Sequence, residues 1–96
     1  MKIFAVIRTH GGSFNGALLL EQQELWEPHR QFMNTIEAEG FVILGGPLEQ
    51  SDDVLLIFRA EGPEQIEARL ADDPWTRNGF LRTVRISPWQ IRIGAL

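Results

Sequence analysis

Apolar residues form continuous runs in three parts of the chain, and each run predicts a strand. Ile3–Ile7 is continuously apolar, and so is the centre of Asp53–Arg59. Runs of this length that contain no polar interruption are typical of strands that are buried on both faces. Phe41–Leu44 predicts a further strand, and Gly45-Gly46-Pro47 predicts the turn that follows it.

Two other segments have helical spacing. The first is expected to begin near Pro28, which suits the first helical position, and to stop at Gly40. The second opens at Gly62-Pro63 and ends at Asp73-Pro74, because the residue before a proline is kept out of the helical region. Each segment has one apolar stripe, formed by Leu25, Phe32, Met33 and Ile36 in the first helix and by Ile66, Leu70 and Ala71 in the second.

Leu81–Ile93 predicts the last strand. Its alternation changes phase at Pro88, which predicts a bulge there and an edge position in the sheet. The order βαββαβ predicts an α+β, ferredoxin-like fold, in which a four-stranded antiparallel sheet has two helices on one face. The first and third strands should be central. Their second apolar face needs a cover, so we expect a homodimer in which two sheets pack face to face.

The composition narrows the class of protein. The 96 residues are expected to form a single domain, residues 1–96, and the absence of cysteine excludes disulfides and thiolate metal sites. The net charge is −4 and the basic residues do not cluster, which argues against a nucleic acid as partner. No pair of histidines has metal-ligand spacing, so we predict no metal and no other cofactor. No apolar run approaches the ~20 residues of a membrane span, and we expect a cytoplasmic protein with no membrane partner.

The strand directions place one set of polar and aromatic residues at the same end of the sheet. That end receives the end of the first strand, the start of the first helix, the end of the second helix and the start of the last strand. The loop Thr9–Gln22 also lies there. It contains three glycines and several small polar residues, so we expect it to have little packing of its own and to act as a mobile lid. The side chains at this end are those of Arg8, His10, His29, Pro47, Asp73, Trp75 and Arg82.

His29 and Asp73 are the candidate catalytic residues. His29 falls on the apolar stripe of the first helix, where it is either a core histidine with a satisfied ring or a general acid or base. The helix N-terminus disfavours an imidazolium, whereas an adjacent carboxylate favours it. Asp73 either ends the helix as an ordinary Asp-Pro turn or orients the imidazole of His29.

Five residues at the same end are candidate substrate contacts. Arg8 and Arg82 either bind an anionic group or form surface ion pairs. Trp75 is either a core or interface residue or an apolar wall of the cleft. His10 is either a ligand contact or an exposed loop residue, and Pro47 belongs to the turn beside them.

Several short motifs give the chain a family resemblance. In order, they are Trp26-Glu27-Pro28-His29, Gly40-Phe41 leading into Val42–Leu48, Asp73-Pro74-Trp75, Gly79 and Ile86-Ser87-Pro88-Trp89. Through these motifs the chain resembles the YCII-related (YciI-like) family of the dimeric α+β barrel superfamily. The resemblance implies a ferredoxin-like protomer that dimerises through its sheet. It also implies an active site built from a His and an Asp, which correspond to His29 and Asp73.

Three hypotheses about function remain open. The first is a small cofactor-independent enzyme in which the His–Asp pair transfers a proton, in an isomerisation or an elimination, on a small cyclic or carbonyl compound. The second is a dimeric module that binds or senses an unknown small molecule without catalysis. The third is a structural dimer, in which His29 and Asp73 only connect two helix ends.

Overall fold

The protein is an α+β sandwich of one sheet and one helical layer. The computed structural model describes all residues from Met1 to Leu96. Its elements are β1 (Lys2–His10), α1 (Trp26–Ala38), β2 (Val42–Pro47), β3 (Asp53–Ala60), α2 (Pro63–Leu70), α3 (Pro74–Arg77) and β4 (Leu81–Pro88). The strands pair antiparallel in the order β2-β3-β1-β4. This confirms the predicted ferredoxin-like fold, the central places of the first and third strands and the edge place of the last one.

The main core lies between the sheet and the helices. Alternate residues of β1, beginning with Phe4 and Val6, are fully buried on the side that faces the helices. Their partners in β3 include Phe58 and Leu56, which lie opposite them in the register. The cluster that results consists of Phe4, Val6, Ile36, Val42, Leu56, Phe58, Ala60, Ile66 and Leu70.

The second strand is longer than predicted. Gly45-Gly46-Pro47, expected to form a turn, instead continues β2, and Gly45 pairs with Leu56 of β3. A Cβ at Gly45 would collide with the Leu56 side chain, so glycine allows this edge strand to approach β3 closely. The glycines therefore belong to the sheet, and the turn lies beyond Pro47.

The last strand is shorter than predicted, and its bulge lies elsewhere. β4 ends at Pro88 rather than at Ile93, since proline has no N–H to continue the ladder. The register against β1 slips between Ile7, opposite Arg85, and Arg8, opposite Thr83. Val84 therefore has no partner in β1, so the bulge lies at Val84 and not at Pro88.

The helices differ from the expectation at their ends. α1 starts at Trp26, two residues before Pro28, which occupies the first turn, where a missing N–H is tolerated. It ends at Ala38, and the predicted stop signal Gly40 lies just beyond, with φ +77 and a hydrogen bond from the Phe41 N–H to the Ile36 carbonyl. α2 ends at Leu70, three residues before the predicted end at Asp73, and Asp73 instead caps the additional single turn α3. None of the helices has the length and apolar character required to span a bilayer.

The centre of the sheet face away from the helices is apolar, and no helix packs on it. Ala5 on β1 pairs with Ile57 on β3, and the next pair on the same face is Ile7 with Leu55. Ala5, Leu55 and Ile57 line a shallow depression together with Ser87, Pro88 and Trp89. Ile57 is 2% exposed there, whereas Ala5, Ile7 and Leu55 are partly buried.

The loop after β1 packs against the body of the protein. The Gly11 and Ser13 N–H groups donate to the carbonyls of Phe80 and Gly79, at 2.8 and 3.0 Å. The buried Gln23 amide accepts from the Asn15 N–H at 2.9 Å and donates to the Asn15 carbonyl at 2.7 Å. These contacts show that the expectation of little packing was wrong, while the proposed mobility of the loop stays a prediction.

Gly11 provides a test of how firmly the loop is attached. A Cβ there would collide with the Gly79 carbonyl, whereas a Cβ at Gly12 would meet nothing. We expect Gly11→Ala to lower the free energy of unfolding by about 1–3 kcal/mol, because backbone must shift to make room. Gly12→Ala is the matched control and should change it by less than about 1 kcal/mol. Urea unfolding measures both, and equal effects would contradict the close approach of the two backbones.

Candidate active site

A cavity of about 260 Å³ opens between α1 and the adjoining ends of β1, β2 and β4. Its volume is at the small end for ligand sites, so it is matched to a ligand of a few heavy atoms or a single ring. The residues that line it are Arg8, His10, Leu20, Trp26, His29, Arg30, Met33, Asn34, Gly45, Gly46, Pro47, Val54, Leu56, Trp75 and Leu81.

His29 and Asp73 are in contact at this cavity. The His29 Nδ1 atom lies 2.9 Å from Asp73 Oδ1 and 3.0 Å from Asp73 Oδ2. His29 is on the inward side of the first turn of α1, and Asp73 is the N-cap of α3. The two residues are 44 positions apart in the chain, and the fold brings the two helix ends together as the strand directions indicate.

Asp73 is fully buried and accepts hydrogen bonds from three donors. Its Oδ1 atom also accepts from the Trp75 N–H at 3.0 Å, as an N-cap does, and its Oδ2 atom accepts from Arg8 Nη1 at 3.3 Å. An ionised carboxylate is a pure acceptor, and all of these groups can donate to it. Nδ1 of His29 therefore carries a proton, and in the neutral ring the lone pair is on Nε2.

Arg8 supplies the positive charge behind Asp73. Its side chain is 1% exposed, and its Nη2 atom donates to Thr76 Oγ1 at 2.6 Å. Burial lowers the pKa of the Arg8 guanidinium, and the nearby Asp73 carboxylate opposes that fall. Arginine remains charged under such conditions, so this is a buried ion pair. The Arg8 Nε–H has no hydrogen-bond partner in the protein.

Trp75 holds several parts of the site in place. Its indole ring stacks on the His29 imidazole, with centroids 4.0 Å apart and planes at 9°. Its Nε1–H donates to the Glu24 carbonyl at 2.8 Å, which fixes the chain just before α1. Its backbone N–H binds Asp73, as described above. Trp75 is 1% exposed and forms a cavity wall, so both of its expected roles, core residue and wall, are combined.

Of the other three predicted substrate contacts, two line the cavity and one does not. His10 ends β1 and stacks on Phe14 at 3.5 Å, half-buried at the cavity, so it is not a freely exposed loop residue. Pro47 lines the cavity at the end of β2. Arg82 is exposed and pairs with Thr9 across the β1–β4 ladder, outside the cavity lining. The structure thus does not bring Arg82 to this site within the protomer, because residue alternation directs it to the open face of the sheet.

Other cavity residues were not anticipated from the sequence. Trp26, Arg30 and Met33 share one stripe of α1 with His29, at spacings of three, four and seven residues from Trp26. That spacing was a usable signal, since residues so placed share a helix face. Thr76, which anchors Arg8, gave no such signal, because it lies in the unpredicted α3.

A larger surface groove, about 490 Å³, lies at the opposite end of the sheet and contains no histidine. It lies beside Met1 and Arg59 and is crossed by the exposed ion pair of Arg69 with Glu39. A solvated ion pair of this kind contributes little and performs no chemistry. The smaller cavity, with its buried acid–base pair, is the better candidate for an active site.

Comparisons with known proteins agree with the fold and the family resemblance. A comparison with curated proteins gives no match. Among solved structures, the chain is similar to 5-chloro-2-hydroxyhydroquinone dehydrochlorinase (TftG) from Burkholderia phenoliruptrix, in complex with 2,5-dihydroxybenzoquinone. The TM-score is 0.63 at 18% identity, over 96% of this chain and 95% of that one, which shows a common fold. The sequence profile of the YCII-related domain matches residues 1–90, and the chain therefore belongs to the YCII-related family.

Proposed function

We propose that the protein is a small cofactor-independent enzyme in which His29 and Asp73 transfer a proton on a small cyclic or carbonyl compound. The observation that carries this proposal is the arrangement of the imidazole. Its Nδ1 side is bound to a buried carboxylate, while its Nε2 atom makes no hydrogen bond within the protein and His29 lines a cavity. A histidine held in this way is suited to act as a general base.

The proposed reaction begins with the lone pair on Nε2 of His29. This atom removes a proton from a carbon beside the substrate carbonyl. The electron pair of the C–H bond forms a C=C bond, and the π pair of the C=O bond moves onto the oxygen, which gives an enolate. Asp73 stabilises the imidazolium that forms, through its contact with Nδ1. Return of the proton to a different atom gives an isomerisation. Departure of a leaving group with its electron pair, followed by loss of the proton to water, gives an elimination.

The similar fold of TftG supports the elimination variant of this proposal. That protein is a dehydrochlorinase, and its structure is a complex with a one-ring compound. Removal of hydrogen chloride requires a base for the proton, which is the role proposed here for His29. Arg8, His10, Pro47 and Trp75 are the proposed substrate contacts, since all four line the cavity.

Hydrogen–deuterium exchange tests the proposed chemistry without knowledge of the full reaction. The protein is incubated in D₂O with a panel of small cyclic ketones and enols, and NMR follows deuterium incorporation beside the carbonyl. Chloride release from 5-chloro-2-hydroxyhydroquinone is measured in parallel. We expect His29→Gln to slow the exchange by about 10²–10⁴-fold, the usual contribution of a positioned base.

Gln31→Ala, on the exposed side of the same helix, is the control and should leave the exchange rate unchanged. Exchange that continues in His29→Gln would contradict the proposal. Saturable binding of a panel compound without any exchange would instead indicate a binding or regulatory module.

The sheet face that carries no helix supports a proposed homodimer. Ile7 and Leu55 lie on this face and are only partly buried, and Trp89 beside it is 44% exposed. Packing of two such sheets would remove a contiguous apolar surface from water. Multi-angle light scattering at micromolar concentration should give about twice the chain mass, because an interface above roughly 1,000 Å² is stable under those conditions.

A charge placed on this face tests the proposed interface. Leu55→Lys is expected to shift the mass towards that of the monomer, whereas Leu19→Lys, on the exposed loop, should leave it unchanged. A folded wild-type monomer would contradict the proposed dimer.

A further inference from the structure

The ionisable side chains that line the cavity are all of the basic type. They are Arg8, His10, His29 and Arg30, and no Asp or Glu lines it. The chain as a whole is acidic, with 13 acidic residues against nine Lys and Arg. The basic lining is therefore a local property of the cavity and does not follow from the composition.

The inner part of this lining is formed by Arg8 and His29. Asp73, the acidic partner of both, is fully buried and is not part of the cavity surface. A ligand would meet the imidazole and the guanidinium from the side away from that carboxylate. The Arg8 Nε–H is enclosed and has no acceptor within the protein.

The outer part of the lining repeats this arrangement. Arg30 lines the cavity and binds Glu27, which lies outside it, at 2.9 Å. Hydrogen bonds from Arg30 lower the pKa of the Glu27 carboxyl. His10 likewise lines the cavity, with Asp52 outside it at 3.5 Å. All four basic groups thus have their acidic partners outside the lining, and no carboxylate faces Arg8 or Arg30 from the cavity side.

The rest of the wall is apolar. It is formed by rings and aliphatic side chains, namely Leu20, Trp26, Met33, Pro47, Val54, Leu56, Trp75 and Leu81. Such a wall favours a ligand with an apolar body, and the volume of about 260 Å³ keeps that body small. A cation would lose its hydration and meet like charge, whereas an anion would find donors.

We propose that the ligand of this site, taken as the substrate of the proposed enzyme, is a small anion. Its charged group is a carboxylate, enolate or phenolate oxygen, which accepts from the basic lining, and its body is a single apolar ring, which contacts the aromatic wall. That this ligand is a substrate rests on the proposed function, whereas binding of the anion does not depend on catalysis.

Benzoate and benzamide form a matched pair of probes for this proposal, since they differ in charge but hardly in shape. Binding is followed by NMR through the indole N–H signals of Trp26 and Trp75. Trp89 lies outside the cavity and serves as an internal reference. We expect benzoate to shift the first two signals saturably and to bind at least about tenfold more tightly than benzamide, a difference that higher salt reduces.

Arg30→Gln should weaken benzoate binding about fivefold or more, because it removes a charge from the rim of the cavity. Arg69→Gln is the matched control. Arg69 is also a partly exposed helix arginine in a two-bond pair with a glutamate, but it lines the separate surface groove and not the cavity. Equal affinity for benzamide, equal effects of the two substitutions, or no saturable shift with benzoate would each overturn the proposal.

The results of these binding experiments can be distinguished from the results that test the proposed enzyme. Benzoate binding that persists in His29→Gln, together with loss of deuterium exchange, supports both proposals. Preferential benzoate binding without deuterium exchange of any compound would support the anion site and contradict the proposed enzyme. Deuterium exchange of neutral compounds, without preferential binding of benzoate, would support the proposed enzyme and contradict the anionic substrate.

Discussion

Replacement of Asp73 by alanine is expected to lower the free energy of unfolding by about 3–5 kcal/mol. The reason is the environment of Arg8, whose guanidinium is 1% exposed and whose charged partner is Asp73. Without the carboxylate, a buried positive charge remains uncompensated. The Trp75 N–H also loses its capping acceptor. Urea unfolding at neutral pH, with an unchanged m-value, is the measurement.

Two further variants show whether the ion pair is the cause. Asp72→Ala removes the neighbouring carboxylate, which is exposed and binds Arg77 at 3.3 Å, and should change the stability by less than about 0.5 kcal/mol. Arg8→Met combined with Asp73→Ala should be more stable than Asp73→Ala alone, because the orphaned charge is gone. A double variant less stable than Asp73→Ala would place the cost in lost packing rather than in the charge.

The fold could be predicted because strong local signals agreed with each other. The apolar runs at Ile3–Ile7 and Asp53–Arg59 indicated central strands, and both are central in the structure. Gly40 and Gly62-Pro63 marked helix boundaries through backbone conformation alone, and both boundaries occur where expected. Once the order of elements is known, the handedness of the crossovers leaves few topologies.

The departures from prediction arise where tertiary contacts override a local signal. Gly45-Gly46 is a strong turn signal in isolation, but here the missing Cβ lets an edge strand approach Leu56. The loop after β1 looks unattached in the sequence, yet Gly11 fixes it to the distant backbone of Phe80, and Gln23 binds the Asn15 backbone within the loop. Such contacts join residues with no sequence pattern between them, so no periodicity reveals them.

The candidate site was also predicted only in part from the sequence. The strand directions indicated that His29 and Asp73 share one end, and the structure brings them into contact. The strand directions did not show which face of the sheet each side chain occupies, so they did not exclude Arg82. The bulged strand β4 places Arg82 outside the cavity. Nor did the strand directions reveal that Arg8 is anchored through Thr76, because that contact depends on the extra turn of α3.

Replacement of Asp73 by asparagine is expected to slow the proposed proton transfer by about 10²–10⁴-fold while the protein remains folded. The amide has the shape of the carboxylate but offers one acceptor oxygen. The Trp75 N–H binds the Oδ1 position and Arg8 Nη1 binds the Oδ2 position, so the single amide oxygen can occupy only one of them and the NH₂ group occupies the other. His29 Nδ1 lies within 3.0 Å of both positions, so it meets the NH₂ group in either orientation. We expect Nδ1 to accept from that group and the ring proton to move to Nε2. The atom proposed as the base would no longer have a lone pair.

Nitrogen-15 NMR of the imidazole measures this tautomer directly. In the wild-type protein, the neutral His29 ring should be protonated on Nδ1, since that atom faces the carboxylate at 2.9 Å. In Asp73→Asn the proton should be on Nε2, with His10 unchanged as the internal reference. Asp72→Asn is the control and should alter neither the tautomer nor the exchange rate. A switched tautomer without loss of exchange would show that His29 is not the base. An unchanged tautomer together with full exchange would show that Asp73 does not orient the ring, and its role would reduce to that of a helix cap and a partner for Arg8.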